Sequence, residues 1–145
     1  MTLDRQWIAG HIPHQGRMCL LDQVLSWDGG CIECLSSTHH ALDNPLRAHG
    51  RLGAACLIEY AAQAMAVHGA LLQPPLPGMS ASGMLTSARG VELLVTRVDD
   101  LAGELLIRAE RRHSDGRGAL YEFRVSEGQR LLAHGRASLL LGPLP

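Results

Sequence analysis

Glu59 lies in the stretch "CLIEYAAQAMA", with Cys56 three residues before it and Gln63 four residues after it. On a helix these three positions fall on one face. A carboxylate and a carboxamide therefore emerge together from a surface built otherwise of small apolar side chains. Burying an unpaired carboxylate costs on the order of several kcal/mol, or drives the group neutral by raising its pKa. Two readings follow. Glu59 either faces solvent or an arginine on an amphipathic helix, or it lines a cleft and exchanges protons with a bound substrate.

Just upstream, "AHGRLGA" supplies an imidazole at His49, a guanidinium at Arg51, and two flexible residues, Gly50 and Gly53. Backbone N–H groups at a helix start are unpaired and carry the positive end of the helix dipole, so they can polarise a carbonyl oxygen. A thioester carbonyl is a suitable target, and His49 is placed to act as a base beside it. The same histidine, next to glycine in a loop, is equally an ordinary surface residue. His11, His14, His39, His40, His68, His113 and His134 show no spacing of a metal cluster, and the adjacent pair His39–His40 diverges if it lies on a strand. "CIEC" has the spelling of a redox motif but sits in strand-like sequence, where Cys31 and Cys34 point to opposite faces. The four cysteines read as small apolar residues, with neither a disulfide framework nor a zinc site.

The elements that position these groups follow from periodicity. "LDRQWIAG" reads as a short helix, "RMCLLDQVLSWDGG" as a strand ending in a glycine turn, and "CIECLSSTH" as its hairpin partner. "ALDNPLRAHGRLG" is a loop. The main helix runs from Ala54 to about Gln73 and is stopped by "PPLPG". In the second half, alternation replaces helical spacing. "ELLIRAERR" puts Leu105, Ile107 and Ala109 on one face, and "ALYEFRVSEGQRLLAHGRASLLL" puts Tyr121, Phe123 and Val125 inward before a turn at "SEGQ" and a last strand from Arg130 to Leu141. "GMLTSARGVELLVTRV" either splits at Gly90 or runs as one long bent strand. Two strands, one long helix, then several antiparallel strands make an α+β domain whose sheet can curl around that helix. Alanines around the helix let a sheet, and a second copy of the domain, approach its backbone.

The 145 residues suit one domain, 1–145. A formal charge of −1 gives no reason to expect nucleic acid or an anionic membrane, and every one of the 13 basic residues is an arginine in no dense block. The start "MTLDRQWIAGHIPHQG" lacks the pattern of a signal peptide, so a cytoplasmic protein is expected. The longest apolar run, Ala54 to Leu72, holds Glu59, Gln63 and His68 and reads as a buried helix instead of an integral membrane segment.

Two of these segments in this order resemble the hotdog-fold 3-hydroxyacyl-(acyl-carrier-protein) dehydratases. "IPHQGRMCLLDQVLSWDGG" is similar to the family's opening through Ile12, Pro13, His14, Leu20, Leu21 and Asp22, and "LIEYAAQAMAVHG" is similar to its central helix. The loop before that helix departs from the family's Gly-His-Phe-Pro-Gly and its later Pro-Gly pair, reading "NPLRAHGRLGAACLIE" instead. The shortened pattern looks more like the divergent hotdog subunits of aryl polyene clusters. The resemblance implies a sheet wrapped around one long helix, and removal of water from a 3-hydroxyacyl thioester presented on the phosphopantetheine of acyl carrier protein. It puts Glu59 at the catalytic carboxylate handling the hydroxyl, His49 at the base, a backbone N–H near Gly53 on the carbonyl, and Gln63 beside the substrate. It implies no metal and no dissociable cofactor. It also implies a homodimer, or a heterodimer with a more typical dehydratase subunit. Thioester hydrolysis on the same fold, and a non-catalytic subunit completing a partner's site, remain the alternatives.

Overall fold

A computed structural model of the chain describes residues 3–73, 83–115 and 117–141. Strand β1 (Leu3–Asp4) runs directly into helix α1 (Arg5–His11), whose N-cap Asp4 accepts the Trp7 N–H at 2.9 Å. Strands β2 (Gln23–Trp27) and β3 (Cys31–Ser36) form the first hairpin, with the Gly30 N–H held by the Asp28 carboxylate at 2.8 Å. The long helix α2 (Leu57–Leu72) follows, and then β4 (Gly83–Leu93), β5 (Leu105–Ser114), β6 (Gly118–Glu127) and β7 (Arg130–Leu141). The seven strands make one antiparallel sheet in the order β1-β2-β3-β5-β6-β7-β4.

The sheet closes over α2, whose buried residues include Leu57, Tyr60, Met65, Val67 and His68 as well as five alanines. Leu105, Ile107, Ala109, Tyr121, Phe123 and Val125 meet it from β5 and β6, as their alternation requires. This is the α+β, sheet-around-helix arrangement that the resemblance implies. The stretch Ala54–Leu72 is long and apolar enough to cross a membrane by length and composition, but 67% of it is buried inside the fold. Cys34 points into the core, where burial pushes its thiol up to about 12, and Cys31 sits on the other face half-buried.

One expectation is corrected and two are made definite. The segment from Arg17 to Asp22 is not strand: residues 16–18 form one 3-10 turn and only Gln23–Trp27 join the ladder. The reason is that side chains take the backbone of Leu20. Its N–H goes to Gln63, and its C=O accepts from Ser36 and Thr38. β4 is one bent strand, kinked where Gly90 has φ +59° and the register with β7 shifts between Arg89 and Glu92. α2 ends at Leu72 with Gln73 as its C-cap, and the "PPLPG" stop lies outside the described residues.

Candidate active site

Glu59 projects from the first turn of α2, and the group facing it is His14. Nε2 of His14 lies 2.9 Å from Oε1 of Glu59, with both side chains about a quarter to a third exposed. His14 arrives on the segment between α1 and the 3-10 turn, where Gln15 anchors back to Ala9 and Ile12 carbonyls. The imidazole beside it holds Glu59 below the usual carboxylate range, against burial that pushes the other way, with the Gln63 amide helping. Glu59 is therefore ionised at neutral pH. An ionised carboxylate only accepts, so Nε2 of His14 carries the hydrogen. Nδ1 of His14 is buried and has no hydrogen-bond partner among the described residues.

Gln63, one turn further along α2, is fully buried, and its amide is already engaged. Oε1 accepts the Leu20 N–H at 2.9 Å, while Nε2 donates to the Met18 C=O at 2.6 Å and reaches Glu59 at 3.4 Å. Tyr60, also buried, shares a hydrogen bond with the Thr38 hydroxyl at 2.8 Å and receives one from Asn44 at 3.1 Å; Thr38 donates on to Leu20. From α2, Gln63 thus holds the N–H of Leu20 directly, while Tyr60 backs the Thr38 hydroxyl that holds its C=O. That grip sets the path of the chain just after His14.

His49 is elsewhere. Ala48 and Arg51 exchange backbone hydrogen bonds at 2.9 and 3.0 Å, and between them His49 (φ 54°) and Gly50 (φ 74°) are both left-handed. Positive φ at both central residues is a type I′ turn, which explains the His-Gly pair. His49 is exposed at the tip of that turn, and the partners of Glu59 among the described residues are His14 and Gln63. The structure brings Glu59 and Gln63 together, as their spacing requires, and does not bring His49 to them. Gln63 faces the loop backbone where substrate contact was expected.

Gly53 sits at the start of the 3-10 turn Ala54–Cys56 that leads into α2, with no side-chain cap. Strand-like pairing with Arg97 takes the flanking groups, since Ala54 N–H donates to Thr96 and Leu52 C=O accepts from Val98. Among the described residues the Gly53 N–H makes no backbone–backbone hydrogen bond and faces the Cys56 thiol. The Leu52 N–H and Arg97 both bond Asp99, whose carboxyl is held far below its ordinary range mainly by Arg97. This loop, 94–101, fixes the entrance of the helix. Among the described residues no three His, Cys, Asp or Glu side chains cluster as for a metal ion.

The residue that sequence reasoning passed over as a site member is His14. Its signal was present in "IPHQG", the part of the opening segment shared with the dehydratases. Nothing in the local spacing ties that segment to Glu59, because the contact is made by tertiary folding.

Comparison with known proteins gives a consistent result. Residues 6–142 match the family described as ApeP-like, ApeP dehydratase. Among solved structures, a chain of the dehydratase heterocomplex ApeI:P from Xenorhabdus doucetiae superposes with a TM-score of 0.83 at 23% identity, covering 94% of this chain and 91% of that one. AziG from S. sahachiroi gives 0.61 at 16% identity over 88% and 94%. A hypothetical thioesterase with coenzyme A from Streptococcus pneumoniae TIGR4 gives 0.59 at 12% identity over 82% and 84%. At these identities the likenesses speak for the fold. No curated protein matches the chain.

Proposed function

The chain belongs to the ApeP-like dehydratase family, and on that premise we propose that it removes water from 3-hydroxyacyl thioesters carried on acyl carrier protein, as one subunit of a hotdog heterodimer in aryl polyene-type biosynthesis. The observation that carries this reading is the His14–Glu59 pair at 2.9 Å on the small-residue face of α2. Dehydration needs a base for the proton alpha to the thioester, an acid for the departing 3-hydroxyl and a donor for the enolate-like oxygen. With Nε2–H on Glu59, the lone pair of His14 is on Nδ1, which is buried in the single chain, so this reading has the ring turn toward substrate when the partner subunit completes the site. When His14 takes the alpha proton, the Glu59 carboxylate stabilises the imidazolium, which returns the proton to the leaving hydroxyl as the C–O bond breaks. Product is the enoyl thioester and water. The Gly53 N–H, at the start of the helix and opposed only by the weakly accepting Cys56 sulfur, is the donor for the thioester oxygen. The chemistry needs no cofactor beyond the phosphopantetheine arm that presents the substrate.

The sheet supports the pairing with a second subunit. Among the described residues β4 is a sheet edge of 11 residues hydrogen-bonded only to β7, and Met84, Leu93 and Leu94 on and just after it are large and exposed. A long edge strand with apolar side chains is a ready template for another strand. The solved structure that superposes at a TM-score of 0.83 is itself described as a heterocomplex.

A second reading assigns the base to His49 acting across the interface. What favours it is the exposed position of this side chain at φ 54°, since strained, projecting residues gather at functional sites. Dehydration of a 3-hydroxyacyl carrier protein by the chain with its partner subunit separates the readings. Loss of roughly 10²–10⁴ in rate in His14→Ala with wild-type rate in His49→Ala supports the pair in one chain. The reverse pattern moves the base to His49. Full activity in a folded Glu59→Gln variant removes the catalytic site from this chain and leaves it a structural subunit.

A further inference from the structure

Two rows of charge cross the outer face of the sheet, the face turned away from α2. In one row the register sets Arg108 opposite Arg124 and Arg124 opposite His134. In the other, Glu110 stands opposite Glu122, Glu122 opposite Arg136, and Arg136 opposite Arg89. Like charges directly across a ladder destabilise a sheet. This face carries three such pairs: Arg108 with Arg124, Glu110 with Glu122, and Arg136 with Arg89. The carboxylates relieve part of the repulsion. Glu110 holds Arg108 and Arg112 at 3.0 Å each, and Glu122 holds Arg112 at 3.0 Å and Arg136 at 3.6 Å. Arg89 and Arg124 have no carboxylate within ion-pair distance among the described residues.

The surface between them is concave, a groove of about 550 Å³. Its shape comes from the kink in β4. Gly90 turns the strand, and Gly135 on β7 lets it come close, since a Cβ there would meet Val91 at 3.0 Å. Five arginines and two carboxylates line the groove, and two more carboxylates flank it, Glu33 at 3.6 Å from Arg108 and Glu92 at 3.4 Å from His134. All four of these carboxylates lie against Arg108, Arg112, Arg136 or His134, so the unpaired positive charge of the face is concentrated at Arg89 and Arg124.

We propose that this groove binds a small, multiply charged, phosphate-bearing ligand, with Arg89, Arg124 and Arg136 as its guanidinium clamp. Guanidinium forks match phosphate oxygens two at a time, which a lysine cannot do. The volume lies in the range of small-ligand sites. A multiply charged anion also relieves the like-charge contacts that the fold otherwise carries on this face. The site is independent of Glu59, which lies on the helix behind the other face of the sheet.

Inorganic pyrophosphate titrated calorimetrically into the full chain at low ionic strength is the test. Saturable one-site binding is expected, with Arg89→Gln/Arg124→Gln weakening it roughly tenfold or more, as loss of charge-assisted hydrogen bonds implies. Arg17→Gln, an exposed substitution outside the groove, leaves it unchanged. Heat denaturation of the double variant at or above the wild-type midpoint shows that the loss is not unfolding; should the double variant melt lower, Arg124→Lys decides, because it keeps the charge, removes the fork and still weakens binding. Absence of saturation, or equal affinity in the groove variants and wild type, overturns the proposal. Tighter binding of polyglutamate than of pyrophosphate also overturns it, in favour of an acidic protein surface as the partner.

Discussion

Gln63 and Leu20 are joined by a hydrogen bond of 2.9 Å from the Leu20 N–H to the Gln63 side-chain oxygen, while the amide nitrogen of the same glutamine holds the Met18 C=O at 2.6 Å. One buried amide on α2 therefore carries the backbone that follows His14. Gln63→Leu fills similar space but leaves a donor and an acceptor unpaired, each at about 1–3 kcal/mol. The expected result is a fall in stability of at least that size in urea denaturation, with a larger loss of dehydration rate than of substrate affinity, because His14 is no longer aimed. A variant as stable as wild type would show that the loop is held by Thr38 and Ser36 alone.

Glu59 lies below its ordinary value of 4.5 chiefly through the hydrogen bond from His14. The sign follows directly. A carboxylate whose folded pKa is depressed stays charged as pH falls, and the stability it contributes is present above about 4.5 and lost below it. Between pH 5 and 8 the ionisation of Glu59 should therefore add no step to the profile of kcat/KM. In His14→Ala the main lowering influence is gone, so the carboxyl resonance of Glu59, followed by NMR, should titrate at higher pH than in wild type. An unchanged titration would mean that the pair is not formed in solution.

The fold was readable because each element states its period. Tyr121, Phe123 and Val125 alternate, and the alanine-rich helix has no competing pattern. The site was half readable. Glu59 and Gln63 are local, four residues apart on a helix, so spacing alone puts them together. His14 is not local to Glu59, and the chemistry-bearing look of "AHGRLGA" has a backbone cause, a type I′ turn that wants glycine and tolerates histidine at positive φ. The extended stretch at Leu20 has the apolar pattern of a strand, while its hydrogen bonds go to the side chains of Gln63, Ser36 and Thr38 and keep it out of the ladder.

That turn gives its own prediction. Asn-Gly is the favoured pair for a type I′ turn, so His49→Asn should leave stability unchanged or raise it by up to about 1 kcal/mol through easier left-handed backbone. With the base at His14, the dehydration rate of the complex is also unchanged. A stable His49→Asn protein that has lost activity would move the catalytic histidine to this turn.

At the sheet edge, β4 exposes Met84 at 47% and Leu93 at 41%. Charges on such an edge block strand addition. Met84→Asp/Leu93→Asp is expected to abolish the mixed dimer in size-exclusion chromatography with light scattering while the thermal transition of the isolated chain stays in place. Retention of the dimer would put the interface elsewhere on the molecule.

His68 sets the response to acid. It is fully buried on α2, its Nε2 lies 2.7 Å from the Asp28 C=O and its Nδ1 lies 2.7 Å from the Tyr121 hydroxyl. A carbonyl only accepts, so Nε2 carries the hydrogen and Nδ1 receives the Tyr121 O–H. This arrangement suits the neutral ring. Burial pushes the pKa below 6.5, with nearby Arg111 adding to the shift and Asp28 opposing it. His39, also buried, shifts the same way through burial and its neighbour His40. A histidine whose folded pKa is lowered binds fewer protons in the native state than in the unfolded one. Stability is therefore complete above about 6.5, declines as pH falls from there toward the lowered folded values, and levels off below them. The midpoint of urea unfolding should drop steadily from pH 7 to pH 5. His68→Gln retains a donor and an acceptor but cannot titrate, so its midpoint should fall less steeply over the same range. Parallel slopes for the two proteins would show that His68 takes up no proton on unfolding and that the acid response lies with other groups.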